Sequence, residues 1–152
     1  ISSPILFKLL NDRRFIKDQH LLLQEEVVDR IIASPKNSNY GRISVMLQAY
    51  YYTEKVLNID PNCFFPAPKV NSSLIKMIPR RDQKNEIIDF NSLSYVVKKA
   101  FSAKRKMIKN TLGEIFSEIE FNHLKIKSSC RPEEISVKSF VELSKLFLSK
   151  EL

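Results

Sequence analysis

The sequence predicts an α/β unit over residues 1–80 followed by a small all-α unit over residues 81–152. Two observations predict it. Before Pro79, segments patterned as helix, strand, helix, helix, strand, loop and strand follow one another, the order expected of the closing half of an α/β sheet that ends in a hairpin-like pair. After Pro79 only helical periodicity remains.

The first unit opens with "ISSPILFKLLND", in which Ser3 is suited to cap a helix and Pro4 to its first position, with apolar residues through Leu10. "KDQHLLLQ" reads as a short buried strand running straight into "EEVVDRIIAS". There Val27, Val28, Ile31 and Ile32 form one helical face, and Glu25 and Glu26 sit at the positive end of the helix dipole. "SPKNSNYG" has loop chemistry, and "RISVMLQAYYY" reads as another helix. "EKVLNID" and "SSLIKMIP" are strand-like and flank "CFFPAPKV". Pro66 and Pro68 fix their own φ, push Phe65 and Ala67 toward extended backbone and cannot donate to a ladder, so this stretch is a stiff loop. Aromatics on a stiff loop suit gripping something flat or plugging a core.

"RRDQKNEIID" is polar and linker-like. Beyond it Leu93, Val96, Val97, Ala100, Phe101, Ile108, Leu112 and Ile115 keep a 3.6-residue stripe, which places the intervening basic residues on a helix that Gly113 relaxes or ends. The last helix is capped by Ser136 and turns Val137, Phe140, Val141, Ser144, Phe147 and Leu148 inward.

A chain of 152 residues with 43% hydrophobic composition is long enough for one real core, and no apolar run approaches a membrane span. Nothing resembles a secretory leader. Cys63, Cys130, His20 and His123 offer no metal-ligand spacing, and the cysteine usage fits a reducing compartment, the cytoplasm. Lys and Arg number 25 against 17 Asp and Glu, a net charge of +8, which favours a polyanionic partner. In "KKAFSAKRKMIK", Lys98, Lys99, Lys104, Arg105, Lys106 and Lys109 occur with no acidic residue among them. Such a run forgoes the i,i+4 pairing of a mixed surface, so a phosphate-binding face competes with a merely solvated one.

Six segments in this order, "ISSPILFKLL", "LLLQEEVVDRIIA", "YGRISVMLQAYY", "FFPAPKVNSSLIKMIPR", "AFSAKRKMIKNTLG" and "RPEEISVKSF", together resemble the KsgA/Dim-type family of ribosomal RNA adenine dimethyltransferases. The resemblance spans essentially the whole chain. It implies that residues 1–80 are the closing half of a Rossmann-like methyltransferase domain and residues 81–152 a C-terminal helical RNA-binding domain. The implied reaction is transfer of methyl groups from S-adenosylmethionine to N6 of two adjacent adenines near the 3′ end of 16S rRNA, in ribosome biogenesis. The implied partner is the small ribosomal subunit, met by a monomer with no membrane involved. The related Erm-type enzymes, which modify large-subunit rRNA, share "PKVNSS", whereas "AFSAKRKMIKNTLG" and "RPEEIS" look more like the small-subunit enzymes. A non-enzymatic RNA-binding or ribosome-assembly protein is a third class of reading.

The family binds its cofactor through a Gly-rich strand–helix turn and receives the target amine at an Asn-Leu-Pro-Tyr-Asn segment. Here the glycines are Gly41 and Gly113 alone, and the amine-receiving segment would end just before Ile1. The chain thus resembles the C-terminal portion of such an enzyme, with the cofactor bound mainly by residues outside it, and is expected to be inactive alone. In the family a phenylalanine five residues before the lysine of the P-x-P-K-V motif stacks on the flipped adenine; here that lysine is Lys69 and the phenylalanine is Phe64. Phe65 falls where the family varies and is expected to pack. Lys69 joins the six cations of residues 98–109 as an expected RNA contact.

Overall fold

A computed structural model describes residues 2–81 and 87–152, with Ser2 and Ser3 described in backbone alone. The side chain of the expected cap Ser3 and half of the expected linker therefore lie outside the described residues. The chain divides into two compact units, Ile1–Ile32 with Tyr50–Lys84 and Ala33–Ala49 with Asn85–Leu152.

The first unit is built on a three-stranded sheet. β1 (Gln19–Gln24), β2 (Tyr51–Ile59) and β3 (Ser72–Pro79) lie in the order β1-β3-β2, and β3 runs antiparallel to both neighbours. The register pairs Gln19 with Met77 and Gln24 with Ser72 on one side of β3, and Tyr51 with Pro79 and Ile59 with Ser72 on the other. An irregularity between Lys55 and Leu57 leaves Val56 without a partner. Along β3 burial alternates with the pleat, Ser73, Ile75, Met77 and Pro79 facing inward. α1 (Ser2–Asn11) contributes Leu6 and Leu10 to this core, and α2 (Glu25–Ile32) contributes Val28 and Ile31, both fully buried. Burial of each of the last two is worth about 1.5–3 kcal/mol. Gln19 reaches the Tyr51 hydroxyl at 3.2 Å, and that hydroxyl donates to the Leu9 carbonyl at 3.4 Å, tying α1 to the start of both outer strands.

Two expectations change here. β1 is not buried throughout: Gln19 is inward and Leu22 is 45% exposed, because the pleat turns successive side chains to opposite faces. The helix expected through Tyr52 stops early. α3 spans Arg42–Gln48, and Tyr51 and Tyr52 begin β2, where aromatic residues are as well suited as in a helix.

The second unit is helical: α3, α4 (Phe90–Ala100), α5 (Ile108–Leu112), α6 (Glu118–His123) and α7 (Val137–Glu151). Ser136 caps α7 as expected, accepting from the Ser139 N–H at 3.1 Å, and Phe140, Val141 and Ser144 are buried. α4 packs along α7, with Tyr95 stacked on Phe147 at 5.0 Å and Phe101 against Phe140 at 5.7 Å. The buried Tyr40 hydroxyl donates to the Ile135 carbonyl at 2.6 Å, and burial pushes its pKa up.

Candidate nucleic-acid interface

The aromatic–proline loop, residues 60–71, joins β2 to β3 and is fastened at both ends. On the incoming side the Asp60 carboxylate accepts the Asn62 N–H at 2.8 Å. A 3-10 turn over Pro61–Cys63 follows, closed by the Phe64 N–H on the Pro61 carbonyl at 3.1 Å. On the outgoing side the Asn71 carbonyl accepts the Glu25 N–H at 3.0 Å, and the Asn71 amide donates to Glu25 Oε2 at 3.2 Å. Ser73, fully buried, donates to Asn58 Oδ1 at 2.7 Å across the strand ends. Lys55 sits beneath, 2.7 Å from Asp29 and 3.6 Å from Glu25, and the hydrogen bond to Asp29 holds its ammonium above the usual range.

That framework presents Phe64 half-buried on extended backbone (φ −118°, ψ 153°). Phe65, joined to Pro66 by a cis peptide, is 102% exposed. The expectation that Phe65 packs is therefore corrected: extended backbone sends successive side chains to opposite sides, and the less exposed side goes to Phe64. Lys69 is exposed and makes no ion pair among the described residues.

The basic stretch is not one helix. α4 ends at Ala100, a 3-10 turn covers Phe101–Ala103, and α5 begins only at Ile108. The Ser102 hydroxyl donates to the Lys99 carbonyl at 2.6 Å, offering the backbone an alternative to the next helical bond. Across this break the cations gain nothing from helical pairing with acidic neighbours. Lys98 and Lys99 end α4, Lys104, Arg105 and Lys106 occupy the exposed break, and Lys109 lies in α5. The apolar stripe is nevertheless buried at Leu93, Val96, Val97, Ala100, Ile108 and Leu112. The Ile108 and Lys109 N–H groups at the start of α5 are held by the Cys130 and Ser128 carbonyls at 2.8 and 3.1 Å, so they are not open to an anion. Lys99 lies 3.5 Å from Glu114, and Lys104 donates to the Ser38 carbonyl at 3.1 Å. Lys98, Arg105, Lys106 and Lys109 carry no ion pair among the described residues.

One concentration of cations escaped the reading of the sequence. Arg13, Arg14, Arg80 and Arg81 converge on one cleft of the first unit. The only signal for it is a pair of Arg-Arg dipeptides far apart in the chain.

A family model described as ribosomal RNA adenine dimethylase matches residues 1–148. The chain belongs to that family. A ribosomal RNA small subunit methyltransferase A from Dechloromonas aromatica is 40% identical over 144 residues, covering 95% of this chain and 56% of the relative. This chain spans about half the length of the curated relatives it matches. Among solved structures, a dimethyladenosine transferase from Plasmodium falciparum superposes with a TM-score of 0.82 at 24% identity, over 100% of this chain and 64% of that one. A 23S rRNA methyltransferase, ErmE, gives 0.67 at 19% identity, over 97% and 61%. The α/β class read from the sequence is that of this dimethylase family, whose solved members have a Rossmann-like methyltransferase fold. Among the described residues no helix is long and apolar enough to cross a membrane.

Proposed function

We propose that the protein carrying this chain is an S-adenosylmethionine-dependent rRNA adenine N6,N6-dimethyltransferase. Its targets are two adjacent adenines near the 3′ end of 16S rRNA, which it reaches on the small ribosomal subunit as a cytoplasmic monomer during ribosome biogenesis. Membership of the dimethylase family supports this reading, and the relatives' names favour the small subunit. The observation that carries it is the fastened loop that presents Phe64 beside exposed Phe65 and Lys69.

The exocyclic amine of adenine is a poor nucleophile, because its lone pair is delocalised into the ring. Positioning must then supply much of the rate. A base taken out of its stack is held flat by an aromatic face for about 1–3 kcal/mol, and Phe64 is the ring assigned to that task. The loop's two-sided fastening supports it, since a stacking ring has to be held in one orientation. Lys69 and the cations of residues 98–109 are assigned to RNA phosphates, each contact releasing counterions.

The methyl donor is assigned mainly to residues outside this chain. In support, Gly41 and Gly113 both lie at helix ends of the second unit, and the turn from β1 into α2 contains no glycine. The first N–H of α2 is already bonded to Asn71. The donor groups of these residues do not fit a nucleotide cradle, and the chain alone is expected to be inactive. Deleting the gene and mapping modified adenines in both rRNAs tests the proposal. N6,N6-dimethyladenosine should vanish from the 3′ segment of 16S rRNA and return on complementation. Loss from 23S rRNA instead, or from neither, would sink it.

A further inference from the structure

The cleft in the first unit is lined by Asn11, Arg13, Arg14, Pro79, Arg80 and Arg81 and encloses about 520 Å³. Four guanidinium groups on one cleft repel one another, so the fold must hold them there. For Arg13, Arg14 and Arg81 the described partners are neutral. Arg13 donates to the Leu10 carbonyl at 2.9 Å and lies 4.6 Å from the Tyr50 ring. Arg81 donates through Nη2 to the Ile16 carbonyl at 2.7 Å and the Arg13 carbonyl at 3.3 Å. Arg14 sits 4.6 Å over Phe15, and Arg80 sits 4.1 Å over Tyr52. Carbonyls and ring faces orient a guanidinium without cancelling its charge. Among the described residues Arg13, Arg14 and Arg81 make no ion pair, and none of those lining the cleft carries a carboxylate.

Arg13, Arg14 and Arg81, preorganised and without an ion pair among the described residues, suit phosphate oxygens, which guanidinium groups grip bidentately. Phe15, 76% exposed under Arg14, adds a flat apolar face of the kind on which nucleobases stack. Phosphate and base chemistry together favour a polynucleotide over a free phosphate. The cleft lies at the Pro79 end of β3, whereas the Phe64 loop enters β3 at Ser72. Eight strand residues separate the two ends by about 24 Å. We infer that this arginine cleft is a second RNA-binding site, which grips the phosphodiester backbone of the substrate RNA at the end of the sheet away from the aromatic loop. The inference rests on the proposed function for its partner.

The test measures binding of the full-length protein to a fluorescein-labelled RNA copying the 3′ segment of 16S rRNA, over a range of salt concentrations. The Arg14→Gln/Arg81→Gln variant should bind about tenfold more weakly near physiological salt, with a slope of log affinity against log salt shallower by about one to two units. Arg14→Lys/Arg81→Lys should recover most of the slope, since it restores charge. Arg14→Gln alone, which removes only a contact with Phe15, guards against loss of fold and should flatten the slope by about one unit. A steep wild-type slope left unchanged in a Gln variant with native circular dichroism overturns the cleft and leaves the proposed function standing. A flat wild-type slope overturns both. Tripolyphosphate is the competing probe: if the Gln substitutions weaken its binding more than that of the RNA, the cleft is a free-phosphate site and the inference fails.

Discussion

The loop over residues 60–71 and the break over residues 101–107 are both irregular and both fastened, yet one presents aromatic rings and the other charge. The loop is tied close to its aromatic rings, by Asp60 and Pro61 before Phe64 and by Asn71 and Ser73 behind it. The break is tied at its edges by Ser102 on Lys99 and by the Cys130 and Ser128 carbonyls on α5, and within by the Lys106 N–H on the Ala103 carbonyl and Lys104 on the Ser38 carbonyl, while the Arg105 and Lys106 side chains are exposed. Ring stacking fades within fractions of an ångström of misplacement, whereas a Coulomb interaction falls only inversely with distance. The loop's proposed use therefore depends on where a ring is held, and the break's on how much charge it carries.

The largest effect that would break this contrast is expected at Phe64. Phe64→Ala in the full-length enzyme should lower kcat about tenfold to a hundredfold, the equivalent of losing one base stack, with cofactor affinity unchanged. Phe65→Ala should leave stability within about 0.5 kcal/mol, because its ring is fully exposed. Steady-state kinetics beside a urea titration separate the two, and a silent Phe64 with a critical Phe65 would shift the assignment by one residue.

Next comes the basic break. Lys104→Gln with Arg105→Gln should keep fold and cofactor affinity, bind the small subunit less tightly, and make the salt slope shallower by about one to two units. Most of that change should come from Arg105, since Lys104 already spends a donor on Ser38. Equal slopes in a folded mutant would mean that these charges are merely solvated.

The smallest effect sharpens the contrast from the other side. Asp89 caps α4 by accepting from the Ser92 hydroxyl at 2.7 Å and the Ser92 N–H at 2.9 Å, and these bonds hold its carboxyl below the ordinary value of 3.8. Asp89→Ala should cost about 1 kcal/mol in chemical denaturation yet leave the salt slope unchanged, because α4 carries charge rather than a precisely aimed group. With a depressed folded pKa, the cap's contribution is complete above 3.8 and fades as pH falls through the lower folded value. The mutant and wild type should therefore converge in stability on acidification.

Much of this was legible in the sequence, for reasons that differ by region. The β2–β3 pair, α2 with its acidic first turn and the Ser136 cap are local patterns, and local patterns survive translation into structure. The break in the basic stretch was hidden because burial keeps its period across it, Ala100 and Ile108 lying inward on separate helices. Exposure of Phe65 depended on which of two adjacent rings the extended backbone left outward. The arginine cleft joins residues that are 65 to 68 positions apart, a separation that no window along the chain can span.

The second unit is assembled from two stretches of chain with the strands β2 and β3 between them. Its α3 buries Val45, Met46 and Leu47 completely, and the hydroxyl of Tyr40 waits for a carbonyl 95 residues downstream. During synthesis at about 5–20 residues per second, roughly 5–20 s pass before that partner has been made. β2 and β3 are made early in that interval, so for the rest of it an apolar helix lacks its later helical partners while the described strands are all present. Vectorial synthesis thus leaves the apolar residues of α3 waiting for partners on α4 and α7 that are made later.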